Sequence, residues 1–378
     1  MTENAVLLVA HPHLMFERVG GLSVLERQLW TLSRAGFKRV WISAQPPQPA
    51  VLAAQRLPPG LELNWQAIHG STPECPTPYV VASGDHVIRV ETLRYVAENA
   101  YPAPTNLADP GGAAAIQVFP FRPDRLTAGG AQSLPEGASV RLRSPVGRGP
   151  AMSWLLAMGG KSQDGFMARH FDRYISLAVS SFLLDTWVTP NAMTLMSSLI
   201  GLVGASFFLH PGHAQRLSGA ALIWLHSVLD GCDGELARIR FQESALGRAL
   251  DFWGDNLVHV ALFSCLAIGF YKADRNVIPI ILGLAACVGT IGSAVLVYLQ
   301  RKAPREAAAP AGLTSALTRV EDFLAARDFI YLLLVLAYID RLYEFMWATA
   351  VGSLLFFAMT LYLQRGNNEQ RSQPYPAR

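Results

Sequence analysis

The chain has 378 residues, of which 51% are hydrophobic and only 16% are charged, and its formal net charge is +3. This length fits two domains better than one. The small net charge, and the lack of a basic run interleaved with aromatic residues, give no indication of nucleic acid as a partner. Long apolar runs dominate the chain only from about residue 175 onward. The composition therefore predicts a mixed N-terminal domain followed by a membrane domain.

Residues 1–150 predict an α/β domain with a mostly parallel sheet, a Rossmann-like arrangement. Strands are expected at 5–10, 40–43 and 78–85, and helices at 23–37 and 91–100, from their apolar spacing. Strands that alternate with helices are typical of such a sheet. The rest of this domain is rich in Pro, Gly and Ala, and we expect short strands and loops there, one of them at 140–146.

Residues 151–190 predict a linker and an amphipathic helix that lies in the membrane interface. The apolar side chains share one helical spacing and comprise Phe166, Phe171, Tyr174, Ile175, Val179, Phe182 and Leu183. Arg169 and Arg173 lie on another face, as in helices that lie on a bilayer. Pro190, directly after Thr189, is a favourable start for the next helix.

Residues 191–366 predict an all-α membrane domain, and a polar tail follows at 367–378. Six spans approach the ~20 residues needed to cross the hydrocarbon, at 191–209, 217–236, 247–270, 277–300, 326–341 and 344–364. Basic residues are concentrated on the side that holds both termini. By the positive-inside rule this side is cytoplasmic, so we expect a multi-pass protein, of a bacterial inner membrane, contacting membrane lipids.

Four aspartates stand in two pairs beside these apolar segments. Asp230 and Asp233 are three residues apart, and Asp251 and Asp255 are four apart, so each pair shares one helix face. Carboxylates at the edge of hydrocarbon are costly and usually mark a cation site or an ion path. Four oxygen donors from two helices suit Mg²⁺ or Mn²⁺, particularly when a substrate adds phosphates. The pattern predicts a metal site.

Small residues and one arginine lie between the two aspartate pairs. Gly234 and Ala237 allow a ligand to approach the helix backbone, and Arg238 offers a fork for phosphate. Written out, Asp230 to Asp255 reads D-x2-D-G-x2-A-R-x8-G-x3-D-x3-D. This stretch resembles the signature of the CDP-alcohol phosphotransferase family, with all eight fixed positions present.

The resemblance implies that an alcohol hydroxyl attacks a phosphate of a CDP-linked donor and that CMP is released. The donor is CDP-diacylglycerol or a CDP-alcohol, and the acceptor is an alcohol or a lipid, as in the synthesis of phospholipids or phospho-inositol compounds. It implies two divalent ions held by the aspartates, with Asp255 as the general base, and a homodimer. The residues expected around the CDP group are Pro190, Asn191, Thr194, Gly231, Gly234, Ala237, Arg238 and Gly247.

Basic residues near the predicted cytoplasmic surface have two interpretations. They could bind a phosphorylated acceptor or the headgroups of anionic lipids, and they comprise Lys161, Arg169, Arg173, Arg301, Lys302 and Arg305. His259, one turn after Asp255, could tune that residue, but we favour a structural hydrogen bond. A non-catalytic membrane anchor or ion-binding protein is a further alternative, against which the intact motif spacing argues.

The N-terminal domain resembles the sugar-phosphate nucleotidyltransferase fold, and the cytidylyltransferase half of bifunctional inositol-1-phosphate cytidylyltransferase/di-inositol-phosphate phosphate synthases in particular. The resemblance rests on residues 21–43 and on Gly84 to Val87. It gives Asp85 the role of a metal ligand. However, residues 11–15 (HPHLM) replace the glycine-rich nucleotide loop, and without glycine the backbone cannot wrap around phosphates. We therefore expect a non-catalytic domain, the alternative being a bifunctional enzyme that also makes its CDP-alcohol from CTP. Two roles are open to His11 and His13. They could be metal ligands, but we favour surface or helix-cap positions.

Overall fold

The computed structural model describes residues 2–9, 11–66, 74–122, 130–142, 149–159, 171–302 and 329–372. The chain divides into two compact units. The first comprises Met1–Gly159, Leu184–Thr186 and Ile239–Phe241, and the second comprises Gly160–Leu183, Trp187–Arg238 and Gln242–Arg378.

The first unit is an α/β domain, as predicted. Its strands are β1 (Asn4–Leu8), β2 (Arg18–Val19), β3 (Leu22–Ser23), β4 (Arg39–Ile42), β5 (Glu62–Trp65), β6 (Tyr79–Ser83), β7 (His86–Ile88), β8 (Thr105–Ala108), β9 (Ala114–Phe119), β10 (Gly130–Ser133) and β11 (Ser139–Arg141). Its helices are a 3-10 helix (Pro12–Phe16), α1 (Val24–Ala35), α2 (Pro49–Ala53), α3 (Val90–Glu98) and α4 (Pro150–Met158).

Seven strands form one sheet in the order β10-β8-β9-β6-β1-β4-β5. Strand β1 is parallel to β4 and β6, β4 is parallel to β5, and β8 is parallel to β10; only β9 runs antiparallel to its neighbours β6 and β8. The predicted mostly parallel sheet is confirmed. The expected strand at 140–146 begins as β11, while residues 143–148 lie outside the described ranges.

Both faces of this sheet are covered by apolar side chains. On β1, Ala5 and Leu7 belong to the larger core on one face, whereas Val6 packs with Trp41 and Tyr79 on the other. This alternation follows from the two-residue period of a strand. A strand buried on both faces reads as a continuous apolar run, which is why residues 5–10 were recognisable in the sequence.

Helix α1 begins with a capping box. The Ser23 side chain accepts a hydrogen bond from the Glu26 backbone N–H, and the Glu26 carboxylate accepts one from the Ser23 N–H. These reciprocal bonds satisfy two N–H groups that the helix leaves without an internal partner. They fix the start of the helix within one residue of the predicted position.

The second unit is helical. Its helices are α5 (Arg173–Leu183), α6 (Pro190–Phe207), α7 (His213–Ile239), α8 (Ala245–Asp274), α9 (Ile278–Lys302), α10 (Phe329–Tyr338) and α11 (Leu342–Ser372). One apolar core joins α6 to α11, with fully buried members such as Phe208, Ile223, Leu262, Leu333 and Phe345.

Among the described residues, three helices are long and apolar enough to cross a membrane: α8, α9 over Ile278–Gln300, and α11 over Leu342–Tyr362. Helices α6, α7 and α10 lie where the other three spans were predicted. Helix α6 opens with Pro190 and Asn191, and α7 holds two aspartates, which lowers the apolar length of these two helices. Helix α10 begins at Phe329, the first residue that the structure describes after Lys302.

Candidate active site

The start of helix α6 places one polar side chain against the aspartate motif. Thr189 caps the helix by accepting a hydrogen bond from the Ala192 N–H, and Pro190 occupies the first turn. One turn further on, the Thr194 hydroxyl is buried and donates a hydrogen bond to Oδ2 of Asp233. The predicted helix start is thus observed, and it brings Thr194 to a motif carboxylate.

Three of the four motif aspartates converge. Asp230 and Asp233 are buried on α7, and Asp251 is half-buried on α8. One carboxylate oxygen from each lies within 4.8 Å of the other two, and this is the single group of three such ligands within the described residues. Like charges this close repel unless a cation lies between them. Hard oxygen ligands are those that Mg²⁺ and Mn²⁺ prefer, so the residues suit a divalent ion.

Asp255 stands apart from this group of three. Its side chain is about one quarter exposed, and its Oδ1 lies 3.6 Å from Nε2 of His226 on α7. A half-open carboxylate beside the three-aspartate cluster can accept a proton from a bound hydroxyl group. The geometry therefore separates a possible base from the three possible metal ligands.

The motif glycines leave room for polar side chains. A Cβ atom at Gly234 would lie 3.0 Å from Nη1 of Arg238, and one at Gly247 would lie 2.9 Å from Oδ1 of Asn191. Both contacts are tighter than a real side chain usually tolerates. Gly231 is less restricted, since a Cβ there would meet Ser176 at 3.7 Å. Two of the predicted donor-site glycines thus adjoin predicted donor-site polar residues.

The predicted phosphate-binding residues are only partly described. Arg173 is half-buried and begins α5, and Arg301 and Lys302 end α9. The side chains of Arg301 and Lys302, and all of Lys161, Arg169 and Arg305, lie outside the part of the chain that the structure describes. The same holds for residues 160–170 of the predicted amphipathic helix.

Helix α5 buries its polar face and exposes its apolar one. The Ser176 and Ser180 hydroxyls donate hydrogen bonds of 2.9 and 2.7 Å to the two oxygens of Glu235, which is buried on α7. Tyr174 and Phe182 are exposed. The sequence analysis did not single out Glu235. The available signal was that an acidic residue occupies a variable position within the motif.

The two histidines near Asp255 have different surroundings. His259 packs its ring edge-on against Phe329, with centroids 5.2 Å apart. His226, which the sequence analysis did not single out, is buried and faces Asp255. Its position one turn before Asp230 on the same helix face was the only signal available.

In the first unit, Asp85 has three hydrogen-bonding neighbours. Its Oδ1 lies 2.5 Å from the Ser83 hydroxyl and 2.8 Å from Nδ1 of His86, and Nε of Arg141 donates to Oδ2 at 3.1 Å. The hydrogen bond from His86, followed by those from Ser83 and Arg141, holds the pKa of the Asp85 carboxyl well below its usual range despite burial. Nε2 of His86 lies 3.2 Å from Asp109. Both oxygens of Asp85 are therefore engaged within the protein.

The place of a nucleotide loop is nearly filled. Leu14 and Met15 of the 3-10 helix, with His11, Gly84 and Asp85, line a cavity of about 10 Å³. That is about the room that one water molecule needs. His11 and His13 are exposed, with ring centroids 5.6 Å apart.

The helical fold and the carboxylate cluster define a membrane domain with a candidate metal centre. Residues 187–363 match the family model of CDP-alcohol phosphatidyltransferase, so this part of the chain is a CDP-alcohol phosphatidyltransferase domain. The resemblance seen in the motif is thereby confirmed.

Curated relatives cover parts of the chain. The bifunctional IPC transferase and DIPP synthase of Thermococcus kodakarensis is 38% identical over 128 residues, which are 34% of this chain and 28% of that protein. The phosphatidylinositol phosphate synthase of Mycobacterium bovis is 27% identical over 140 residues, or 36% of this chain and 61% of that protein. The chain thus spans less than two thirds of either relative.

A solved structure is also similar. The Mycobacterium tuberculosis phosphatidylinositol phosphate synthase with CDP-DAG bound has a TM-score of 0.37 and 19% identity, covering 50% of this chain and 92% of that one.

Proposed function

We propose that the protein is a membrane-embedded transferase that moves a substituted phosphate group from a CDP-linked donor to an alcohol and releases CMP. The observation that carries the proposal is the convergence of Asp230, Asp233 and Asp251, with Asp255 beside them, inside a CDP-alcohol phosphatidyltransferase domain. The intact cluster argues against the alternative of a non-catalytic anchor.

Each carboxylate has a role that suits its surroundings. Asp230, Asp233 and Asp251 would hold Mg²⁺ or Mn²⁺, as two ions by family resemblance. When bound, such ions offset negative charge on the phosphates of the donor. Thr194 orients Asp233 through its hydroxyl. Asn191, Gly234, Arg238 and Gly247 would line the CDP group, together with Pro190, Gly231 and Ala237.

Asp255 would act as the general base. The acceptor oxygen forms a bond to the donor phosphorus while its proton passes to the Asp255 carboxylate. The bond between that phosphorus and CMP then breaks, and its electron pair leaves with CMP. A positioned base contributes roughly 10²- to 10⁴-fold to such a rate. The Asp255 side chain is about one quarter exposed, which lets an acceptor hydroxyl reach it.

The membrane arrangement is part of the proposal. All six helices α6 to α11 would span the bilayer, with both termini and the aspartates on the cytoplasmic side of a bacterial inner membrane, and the protein would form a homodimer. Helix α5 would lie in the interface, because its exposed apolar face suits lipid. Arg173 at its start would meet an acceptor phosphate or a lipid headgroup.

For the first unit we propose a nucleotidyltransferase-like fold without catalytic activity. The cavity beside the 3-10 helix has room for about one water molecule, and the oxygens of Asp85 are already engaged. The alternative is a bifunctional enzyme. It is supported by the Thermococcus kodakarensis relative, which is named a bifunctional IPC transferase and DIPP synthase. Pyrophosphate release from CTP by the full chain, tested with several alcohol phosphates and metals, would support that alternative, and no release would reject it.

The deciding experiment measures CMP release by the purified protein in detergent with Mg²⁺. CDP-diacylglycerol, CDP-inositol, CDP-ethanolamine, CDP-choline and CDP-glycerol are offered in turn, each with membrane lipid extract and inositol phosphate as acceptors. Release from one donor that is lost in Asp255→Asn would establish the transferase and its donor class. No release from any donor, together with no nucleotide binding in a thermal-shift screen, would overturn the proposal.

A further inference from the structure

His226 is a buried polar side chain in the middle of the helical core. It lies four residues before Asp230 on α7, so both side chains project from one helix face. Its side chain is only 3% exposed. Burying an imidazole in an apolar helix is costly unless both nitrogens have partners, so the surroundings of the ring need an explanation.

Each ring nitrogen faces a different helix. Nδ1 lies 2.9 Å from the backbone carbonyl oxygen of Ser197 on α6, and Nε2 lies 3.6 Å from Oδ1 of Asp255 on α8. A carbonyl oxygen can only accept a hydrogen bond, so Nδ1 carries a hydrogen. The carbonyl thus fixes the ring orientation and directs Nε2 at the Asp255 carboxylate.

Packing holds the ring in this orientation. A Cβ atom at Gly201 would lie 2.9 Å from Cγ of His226 and 2.7 Å from Cγ1 of Val258. Gly201 therefore makes room for both the imidazole and the neighbouring α8 side chain. With the backbone of α6 at Gly201 close to Cγ and its Nδ1 bonded to the Ser197 carbonyl, the ring has little freedom to turn away from Asp255.

We propose that His226 is a positioning residue for Asp255, and this inference rests on the proposed function. With a hydrogen on each nitrogen the ring is an imidazolium, and its Nε2, 3.6 Å from Oδ1, forms an ion pair that restrains the carboxylate meant to meet the acceptor hydroxyl. Rotation of the carboxylate is then restricted before the acceptor binds. Misplacing a reacting group by about 1 Å can cost ~100-fold in rate, so a fixed carboxylate has a measurable advantage.

Two substitutions separate the two contacts of the ring. The amide of Gln reaches the position of Nε2, and the shorter amide of Asn reaches that of Nδ1. His226→Gln keeps a donor for Asp255, whereas His226→Asn keeps only the bond to the Ser197 carbonyl. We expect His226→Asn to lower kcat about 10- to 100-fold with little change in the KM for the CDP donor, and His226→Gln to lose less than about 5-fold.

The controls distinguish this inference from the proposed function. Asp255→Asn must abolish turnover, and if it does not, the assignment of the base fails whatever His226 does. The ring of His259 packs on Phe329. His259→Gln should therefore leave kcat unchanged. Donor binding and the melting temperature are measured for each variant, so that a folding defect is visible apart from activity.

Two results would overturn the inference while leaving the transferase intact. One is a kcat for His226→Asn equal to that of the wild type. The other is an Asn variant more active than the Gln variant, which would mean that His226 only joins α7 to α6. If both variants fail to fold, Gly201→Ala combined with Val258→Ala displaces the retained imidazole. That double variant should lower kcat with unchanged donor KM, and an unchanged kcat would also refute the inference.

Discussion

The Thr194 hydroxyl donates a hydrogen bond to Oδ2 of Asp233. A buried side chain of α6 thus holds Asp233, which lies on α7 and is one of the three clustered carboxylates. The residue that contacts a metal ligand sets its orientation, and losing such a contact typically costs about 10- to 100-fold in metal affinity or activity. The start of α6 is therefore coupled to the candidate metal centre.

Replacing this hydroxyl should weaken metal dependence first. We expect Thr194→Val to need roughly 10-fold more Mg²⁺ for half-maximal CMP release, because the isosteric side chain leaves Asp233 without its donor. Thr194→Ser retains the hydroxyl and should behave like the wild type. A titration of CMP release against Mg²⁺ measures this, and identical curves for Val and Ser would contradict the role of the hydrogen bond.

The four aspartates should fall into two classes. Asp255→Asn should lose about 10²-fold or more in turnover while still binding the CDP donor, because it removes a base and not a metal ligand. Asp230→Asn or Asp251→Asn should lose both turnover and binding of the CDP donor, since the donor phosphates would meet a weaker metal site. Donor binding by equilibrium dialysis with Mg²⁺ separates the classes. Equal loss of binding in all three variants would place Asp255 among the metal ligands.

Part of this site could be read from the sequence because its residues lie within single helices. The spacing of Asp230 and Asp233, and that of Asp251 and Asp255, fixes their helix faces without any tertiary information. The contact of His226 with Asp255 could not be read in this way, since it depends on how α6, α7 and α8 pack.

Elsewhere, too, patterns within one element were predicted from the sequence, whereas contacts between elements were not. The α/β order of the first unit followed from apolar runs on a sheet that is buried on both faces. The contact of His86 with Asp109 joins residues 23 positions apart in the sequence, and that of Ser180 with Glu235 joins residues 55 apart. No periodicity within one element indicates such pairs.

A side chain at Gly247 should disturb the start of α8. We expect Gly247→Ala to reduce CMP release and lower the melting temperature, because its Cβ would lie 2.9 Å from Oδ1 of Asn191. Gly352→Ala on α11 is the matched control, since no atom of the described residues lies within 4 Å of its Cβ position. Alanine favours a helix by about 1 kcal/mol over glycine, so the control should be as stable as the wild type or more so. Equal behaviour of the two variants would refute the close approach.

The first unit should lose stability in acid through Asp85. Its folded-state pKa is lowered, so its contribution is present above the unfolded pKa of about 3.9 and is lost as pH falls toward the folded value. Chemical unfolding of wild type and Asp85→Asn between about pH 3 and pH 7 isolates this effect. The wild type should be the more stable near neutral pH, and the difference should shrink below about pH 4. A difference independent of pH would mean that the carboxylate charge contributes nothing.

Helix α5 should depend on its buried serines for attachment to α7. Ser180→Ala removes a 2.7 Å hydrogen bond to Glu235 and leaves a buried carboxylate short of one donor, which typically costs about 1–3 kcal/mol. Ser181→Ala is the matched control, because among the described residues that hydroxyl bonds to the carbonyl of Ala178 in its own helix, and such changes usually stay within about 0.5 kcal/mol.

The free energy of unfolding in mixed micelles measures the difference between these two serine variants. A double-mutant cycle of Ser180→Ala with Glu235→Gln should give a coupling of at least ~0.5 kcal/mol, as contacting residues do. If Ser180→Ala is no more destabilising than Ser181→Ala, Glu235 does not hold α5. In that case the attachment of the helix must come from packing around Gly231 and Cys232, whose Sγ lies 3.5 Å from the Ser176 carbonyl oxygen.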